Sequence, residues 1–298
     1  MSDYFVGTSC EKEQKGGKFG VVIMFDGKCA HGGLTDRLRG ITSVYSYCKE
    51  HGIPFYVHFV HPFSLEDYLE PNNVDWRISK ERLSFNLHQA KPVILFDFDL
   101  HPALHETFMD KTIKQMNGQI HLYTNSKFRD KDFRCCFHEL FRPCEKLQKS
   151  IEQHLEQLGT FVSVSFRFTT LLGDFEDCIN TPLPVEEQEE LISNCILAIE
   201  KIRGAKKGVN KILVTADSEK FLNRVKKLKY VYVVPGTIGH FDHSNEEQGD
   251  MELKTFLDFF LISHAAKVYL VRLGKMYNSG FCRHAAMLGD KPFECIVD

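Results

Sequence analysis

The hydrophobic positions in the first half of the chain form short apolar runs separated by polar or amphipathic stretches. Four runs have the length of β-strands, at residues 19–25, 53–60, 91–98 and 120–123. Between the first two runs a helix is predicted that ends near Gly52, because apolar residues recur at helical spacing at Leu38, Ile41, Val44, Tyr45 and Cys48. A β-α-β beginning of this kind predicts a parallel sheet with helices on its faces.

The second half of the chain continues this alternation. Helices are predicted at residues 145–158, 186–203, 250–266 and 280–288, and a further helix is predicted to begin at residue 218. Strands are predicted at residues 161–168, 211–215, 231–234, 268–271 and 293–297. The whole pattern predicts an α/β protein of two doubly wound, Rossmann-like domains that face a cleft. We place the domains at residues 1–145 and 146–298.

Composition narrows the class of protein without identifying a ligand. The chain has 298 residues, 43% of them hydrophobic and 26% charged, and a net charge of −3. There is no basic excess, so no nucleic-acid partner is expected. The first twenty residues have no sustained apolar run, and no apolar run later in the chain approaches the length of a membrane span. We therefore expect a cytoplasmic protein without a transmembrane segment, whose ten cysteines are mainly buried thiols.

Three groups of residues have some likeness to metal sites. His101 with His105, and His240 with Asp242 and His243, lack the further paired ligands of a structural zinc site. The third group is the D-x-D sequence at residues 97–99, which we interpret as the end of a strand. The sequence therefore predicts no metal and no cofactor.

Ligands of open parallel sheets bind beyond the carboxyl ends of the strands. This rule selects four loops, at residues 28–39, 167–174, 215–218 and 272–280. Each loop also has a purely structural interpretation. The His31-Gly32-Gly33 sequence could be a turn that needs glycine, and Asp217-Ser218 and Asn278-Ser279-Gly280 could be helix caps.

Arg167 is the unusual residue among these loops. An arginine that follows an apolar strand is costly unless it meets an anion or a carboxylate. It could pair with Asp174 or Asp177. The loops of the second half nevertheless combine a guanidinium, a carboxylate and helix N-termini, which together suit a nucleoside diphosphate.

With these loops assembled, the sequence resembles the GDP-fucose-dependent fucosyltransferases, a group that includes α1,2-, α1,6-, rhizobial nodulation-factor and protein O-fucosyltransferases. The Gly-rich sequence from Gly32 to Leu38 is similar to their N-terminal loop, often G-G-L-G-N-Q. The end of the strand at Val164–Arg167 resembles their H-x-R sequence, with Ser165 where histidine is usual. The sequence Val214–Asp217 is similar to their A-T-D motif. Two further resemblances are Leu140–Pro143 followed by Leu147 and Gln148, and Leu261–Ser263 with Asn278–Arg283.

The resemblance implies a GT-B fold and an inverting transfer of L-fucose from GDP-fucose to a glycan hydroxyl, without a metal. Arg167 would contact the β-phosphate, Asp217 would hold guanine or ribose, and Ser279 with the Gly280 N–H would bind the diphosphate. The other donor-binding residues implied are Gly32, Gly33, Arg37, Ser218 and Phe281. Asp36 and His31 are candidates for the general base from their position alone.

The resemblance also divides the roles of the domains. The first would lie on the side of an oligosaccharide or glycoconjugate acceptor, and the second would bind the nucleotide sugar. Two alternatives remain open at this point. One is a transferase of the same fold that uses another nucleotide sugar. The other is a non-catalytic protein that binds a glycan or a nucleotide, which the absence of the usual histidine at Ser165 favours.

Overall fold

The structure is a computed structural model that describes residues 3–6, 20–96, 102–114, 118–175, 181–205, 208, 210–239, 241 and 249–298. The chain divides into two compact units, Met1–Cys144 and Glu145–Asp298. Several residues considered above lie outside the described residues: Asp97, Asp99, His101, Asp177, His240, Asp242 and His243.

The first unit is built on a four-stranded parallel sheet. Its strands are β1 (Gly20–Phe25), β2 (Phe55–Phe59), β4 (Ala90–Ile94) and β5 (Gln119–Tyr123), in the order β2-β1-β5-β4. The short strands β3 (Leu69–Pro71) and β6 (Phe141–Pro143) form a separate antiparallel pair. The helices are α1 (Leu34–Glu50), α2 (Pro102–Lys114) and α3 (Phe133–Leu140).

The second unit has a five-stranded sheet with parallel pairing throughout. Its strands are β7 (Phe161–Phe166), β8 (Lys211–Thr215), β9 (Val231–Tyr232), β10 (Val268–Arg272) and β11 (Phe293–Val297), in the order β11-β10-β7-β8-β9. The helices are α4 (Glu145–Leu158), α5 (Val185–Ala205), α6 (Glu219–Val225), α7 (Gly249–His264) and α8 (Phe281–Gly289). The first strand of this unit is central, which is the strand order of a Rossmann fold. The predicted α/β class is confirmed.

The two sheets have fully buried central strands. All six residues of β1 and all six of β7 are buried, since helices or loops cover both faces of each sheet. In the first unit, Gly40 of α1 lets the helix approach the chain that follows β5. A Cβ at this position would lie 2.9 Å from the Thr124 oxygen and the Asn125 Cα. This close approach places the first half of α1 against the chain at the end of β5.

A polar network lies on β5 of the first unit. The Nδ1 atom of His121 is 2.7 Å from the Tyr4 hydroxyl, and its Nε2 atom is 3.1 Å from the Gln119 Oε1 atom. A neutral imidazole with the proton on Nε2 satisfies both contacts, because the Tyr4 O–H donates to Nδ1. His121 is fully buried, and this burial lowers its pKa from 6.5 to about 4, with the nearby His58 adding to the effect.

The stability of the first unit is therefore expected to fall in acid. In the unfolded chain His121 takes up a proton below pH 6.5, whereas in the folded protein it stays neutral down to about pH 4. The contribution of neutral His121 to stability is therefore fully present above pH 6.5 and is lost as the pH falls from 6.5 to about 4. The shift corresponds to about 3 kcal/mol. Urea unfolding can be followed by fluorescence of the single tryptophan, Trp76, which is buried in the first unit.

The variant His121→Leu removes the titrating group and serves as the comparison. It is expected to be less stable at neutral pH, because the Tyr4 hydroxyl loses its hydrogen bond to His121, but to depend less on pH between 6.5 and about 4. Parallel pH profiles for the two proteins would rule out His121 as the source of the acid sensitivity.

Candidate functional site

Three loops of the second unit meet at Arg167, the first residue after β7. The Arg167 carbonyl oxygen accepts a hydrogen bond of 3.0 Å from the Tyr277 N–H, in the loop between β10 and α8. The Nη1 atom of Arg167 lies 3.2 Å from Oδ2 of Asp217, a residue of the loop after β8. The strand order reverses between β7 and β10, so this is the edge at which a doubly wound sheet binds ligands.

The carboxylate of Asp217 is bound to the chain that follows β7. Its Oδ1 accepts from the Phe168 N–H at 2.8 Å and its Oδ2 from the Thr169 N–H at 2.7 Å. Asp217 is only 5% exposed, and burial raises its pKa, while Arg167 and the two N–H groups oppose that shift. The contacts described for this carboxylate are all with donors, which is the arrangement that suits the ionised form.

Thr169 has an unusual backbone conformation next to this carboxylate. Its φ of +56° is rare for a β-branched residue, and a conformation of this kind costs about 1–3 kcal/mol. The residue is fully buried, and its Oγ1 donates to the Phe168 carbonyl oxygen at 2.5 Å. The bond from Thr169 N–H to Asp217 therefore helps to hold a strained turn immediately after Arg167.

The guanidinium of Arg167 is held on one side and partly exposed. Its central carbon lies 4.6 Å from the centroid of the Phe175 ring, which is buried. The side chain of Arg167 is 22% exposed. A cation in this position can meet an anionic group that approaches the carboxyl edge of the sheet.

Ser218 and Asp174 cap helix α6. The Ser218 Oγ accepts from the Phe221 N–H at 3.1 Å and donates to Asp174 Oδ2 at 2.9 Å, and the same oxygen of Asp174 accepts from the Lys220 N–H at 2.7 Å. The cap interpretation of Ser218 is thus the arrangement found. The sequence suggested Asp174 or Asp177 as the partner of Arg167. Asp174 instead caps helix α6, and the carboxylate beside Arg167 is that of Asp217.

The loop before α8 contains Ser279 and Gly280, with Phe281 as the first residue of the helix. The Ser279 Oγ accepts from the Phe281 N–H at 3.2 Å, and Gly280 is the N-cap. All three residues are partly exposed. The N–H groups of the first turn give this end of a nine-residue helix a partial positive charge. Together with Arg167, bound to the same loop through Tyr277, this helix end favours an anion.

Ser165 is the residue at which the sequence departs from the H-x-R motif of the fucosyltransferases that it resembles. Its side chain is buried and its Oγ lies 2.8 Å from the Oγ1 of Thr215, so the two hydroxyls join β7 to β8. The Ser165 hydroxyl is therefore used in a hydrogen bond within the sheet.

The loop between β1 and α1 of the first unit depends on Gly32 and Asp36. Gly32 has a φ of +77°, and a Cβ there would lie 2.6 Å from Asp36 Oδ2. The same Oδ2 accepts from the Gly33 N–H at 3.1 Å, and Oδ1 of Asp36 lies 2.9 Å from Arg39 Nη2. The left-handed backbone is required at Gly32 only, since Gly33 is the N-cap of α1 with a φ of −72°. The Asp36 side chain remains 36% exposed.

His31 and Arg37 of this loop are buried. The His31 ring lies 4.5 Å from Phe25 and 5.5 Å from Phe96, measured between ring centroids, and is 1% exposed. Arg37 is 2% exposed and donates to the Gly32 carbonyl oxygen at 3.0 Å and to the His61 carbonyl oxygen at 2.9 Å. These two side chains thus support the loop from inside the unit, and Asp36 is its exposed acidic group.

A buried ion pair on α7 was not indicated by the sequence. Lys254 Nζ lies 2.7 Å from Asp258 Oδ2, and the two residues are 4% and 7% exposed. Burial raises the pKa of Asp258, and Lys254 opposes the shift. Within the described part of the chain, Oδ1 of Asp258 has no hydrogen-bond partner. The i, i+4 spacing of lysine and aspartate is typical of exposed helix faces, so the sequence could not show the burial.

Within the described ranges, no group of three or more histidine, cysteine, aspartate or glutamate residues is placed to hold a metal ion. No helix in the same ranges has the length and apolar character needed to cross a membrane.

Comparison with known proteins places the fold. No protein-family model matches the chain, and no curated protein matches it by sequence. Solved structures do match. NodZ α-1,6-fucosyltransferase soaked with GDP-fucose aligns with a TM-score of 0.60 at 17% identity, over 91% of this chain and 93% of that one. Fucosyltransferase NodZ from Bradyrhizobium aligns with a TM-score of 0.59 at 16% identity, over 91% and 93% of the two chains.

A plant enzyme has the same fold. A variant of Arabidopsis thaliana FUT1 in complex with GDP aligns with a TM-score of 0.57 at 14% identity, over 98% of this chain and 72% of that one. The chain therefore shares the fold of these fucosyltransferases, and the predicted GT-B class of fold is confirmed. The resemblance identified from the sequence motifs is confirmed at the level of the fold.

Proposed function

We propose that this protein is an inverting glycosyltransferase that transfers L-fucose from GDP-fucose to a hydroxyl group of a glycan acceptor, without a metal. The observation that carries the proposal is the position of Arg167. It lies partly exposed where the strand order reverses in a Rossmann-type sheet, in a fold shared with fucosyltransferases whose structures contain GDP-fucose or GDP.

Departure of GDP builds negative charge on the β-phosphate, and fixed positive groups lower the barrier by stabilising that charge. In this proposal the Arg167 guanidinium contacts the β-phosphate. Ser279, the Gly280 N–H and the start of α8 at Phe281 bind the remaining diphosphate oxygens. Ser218 holds α6 at the same edge of the sheet. The Arg167 guanidinium and the N–H groups at the start of α8 supply the positive charge for leaving-group departure.

The first unit binds the acceptor in this proposal. Inversion requires a base that takes the proton of the attacking hydroxyl, and Asp36 is the exposed carboxylate of the Gly-rich loop. Gly32 and Gly33 allow the backbone to approach a ligand closely. His31 and Arg37, being buried, act by keeping that loop in shape.

The direct test is isothermal titration calorimetry with GDP, GDP-fucose, GDP-mannose and UDP-sugars. We expect heat of binding with the guanosine nucleotides and the strongest response with GDP-fucose. If no guanosine nucleotide binds, the proposal is overturned. A mass-spectrometric scan of acceptor oligosaccharides with GDP-fucose then identifies the product. Repeating it with a chelator tests metal independence, and NMR of the product gives the anomeric configuration.

The same experiments distinguish two other functions. Preference for a different nucleotide sugar would indicate another transferase of this fold. One observation favours a non-catalytic protein that binds a nucleotide or a glycan. Ser165 replaces the usual histidine, and its hydroxyl is hydrogen-bonded to Thr215 within the sheet. Binding of GDP without formation of any product would support that function.

A further inference from the structure

We infer that Asp217 is a positioning residue that holds the Arg167 guanidinium and the turn after β7, rather than a ligand for guanine or ribose. The inference rests on the proposed function, because it assigns the role of one residue in the proposed donor site. It follows from how the structure uses the carboxylate, from the conformation of Thr169 and from the way Arg167 is held.

Both oxygens of Asp217 are used within the protein. Oδ1 meets the Phe168 N–H, and Oδ2 meets the Thr169 N–H and the Arg167 Nη1 atom, at 2.8, 2.7 and 3.2 Å. The residue is 5% exposed, so a nucleotide approaching the sheet edge meets little of its surface. A nucleoside hydroxyl or amine would have to displace one of these donors from the carboxylate, which costs the hydrogen bond that the donor makes there.

The turn that Asp217 holds determines the direction of the chain after Arg167. Thr169 adopts a φ of +56°, which a β-branched residue keeps only when its surroundings impose it. Asp217 contributes to these surroundings by accepting from two consecutive N–H groups, those of Phe168 and Thr169. Asp217 comes from the loop after β8, so it ties one loop of the site to another.

The guanidinium of Arg167 is restrained in two directions. Asp217 binds its Nη1 edge, and the Phe175 ring covers its face with the central carbon 4.6 Å from the ring centroid. These restraints fix the plane of the fork while leaving 22% of the side chain exposed. A pre-oriented guanidinium loses less entropy when it meets a phosphate, so Asp217 strengthens a contact that it does not itself make.

The test is a double-mutant cycle with GDP affinity and transfer kinetics as readouts. Asp217→Asn is expected to weaken GDP binding by about tenfold, as for loss of a hydrogen bond to a charged group. In the Arg167→Ala background the same change is expected to add little, because it acts through Arg167. Additive effects would show that Asp217 acts on nucleotide binding independently of Arg167 and would overturn the inference.

The matched control is Asp174→Asn, the same chemical change at the same edge of the sheet, where the carboxylate caps α6. It is expected to leave GDP affinity within about twofold of the wild type, as for changes at a site without shared partners. If the wild-type protein binds no GDP, the proposed function fails. If it binds GDP and Asp217→Asn binds equally well, only the present inference fails.

A measurement on the wild-type protein keeps the inference testable even if Asp217→Asn does not fold. Hydrogen exchange of the Phe168 and Thr169 amides is expected to be slow in the free protein and to remain slow with GDP bound, because Asp217 stays on both N–H groups. Faster exchange of these amides on adding GDP would mean that the carboxylate leaves them for the ligand, which would overturn the inference.

Discussion

Replacing Arg167 by alanine is expected to lower kcat/KM for fucosyl transfer by about 10²–10³-fold, the usual effect of removing one fixed group that stabilises developing charge. In the proposed reaction this guanidinium meets the β-phosphate as GDP departs. Arg167→Lys should recover only part of the loss, because an ammonium cannot reproduce the planar, bidentate contact. Steady-state kinetics with GDP-fucose and an identified acceptor measure both effects.

A matched control is available in the same unit. Arg203, on α5, also places its guanidinium over an aromatic ring, with its central carbon 3.9 Å from the Tyr230 centroid, but it is exposed and is not part of the proposed donor site. Arg203→Ala should leave kcat/KM close to the wild-type value. Circular dichroism shows whether each variant is folded. Unchanged turnover in a folded Arg167→Ala variant would remove Arg167 from the catalytic site.

The second large effect concerns the stability of the second unit. Replacing Lys254 by methionine is expected to lower the free energy of unfolding by about 3–5 kcal/mol, because it leaves the buried Asp258 carboxylate without its counter-ion. Replacing both members, with Lys254→Met and Asp258→Leu together, should recover most of this loss, since an apolar pair has no charge to desolvate. Urea unfolding followed by far-UV circular dichroism measures each variant.

Lys149→Met is the control for this prediction. Lys149 and Glu145 of α4 have the same i, i+4 spacing, but their side chains are 67% and 80% exposed. An exposed pair of this kind contributes about 0–1 kcal/mol, so the control should be nearly as stable as the wild type. Fluorescence of Trp76 reports the first unit in the same samples and should be unaffected by either change. Equal stabilities of Lys254→Met and Lys149→Met would contradict the predicted value of the buried pair.

Most strands and helices of the sheets could be predicted from sequence because their signal is local. The run at Phe161–Phe166 has apolar residues at four of its six positions and small serines at the other two, which is compatible with a strand buried on both faces. The helix at Glu145–Leu158 begins two residues after a proline. Four elements were not predicted, namely α2, α3, β3 and β6, and the short ones among them have weak local signals. Helix α3 has only eight residues, and strand β6 has three, which pair with a segment about seventy residues earlier in the chain.

The candidate site was predictable as a set of loops and not as a set of contacts. The position of Arg167 after an apolar strand indicated that it needs an anionic partner, because an unpaired guanidinium at such a place is costly. Which carboxylate serves could not be read from the sequence, since Asp174 is close in the chain and Asp217 is close in space. Only the pairing of β7 with β8 brings Asp217 to Arg167.

The sequence by itself determined the two α/β units, the loops at the ends of their strands and the likeness to fucosyltransferases. These features follow from hydrophobic periodicity and short motifs, which are local properties of the chain. The tertiary structure alone decided which polar side chains are buried, among them His31, Arg37, Asp217, Lys254 and Asp258. Burial depends on which distant segments pack against a residue. The local sequence around a polar residue therefore does not show whether its side chain is buried or exposed.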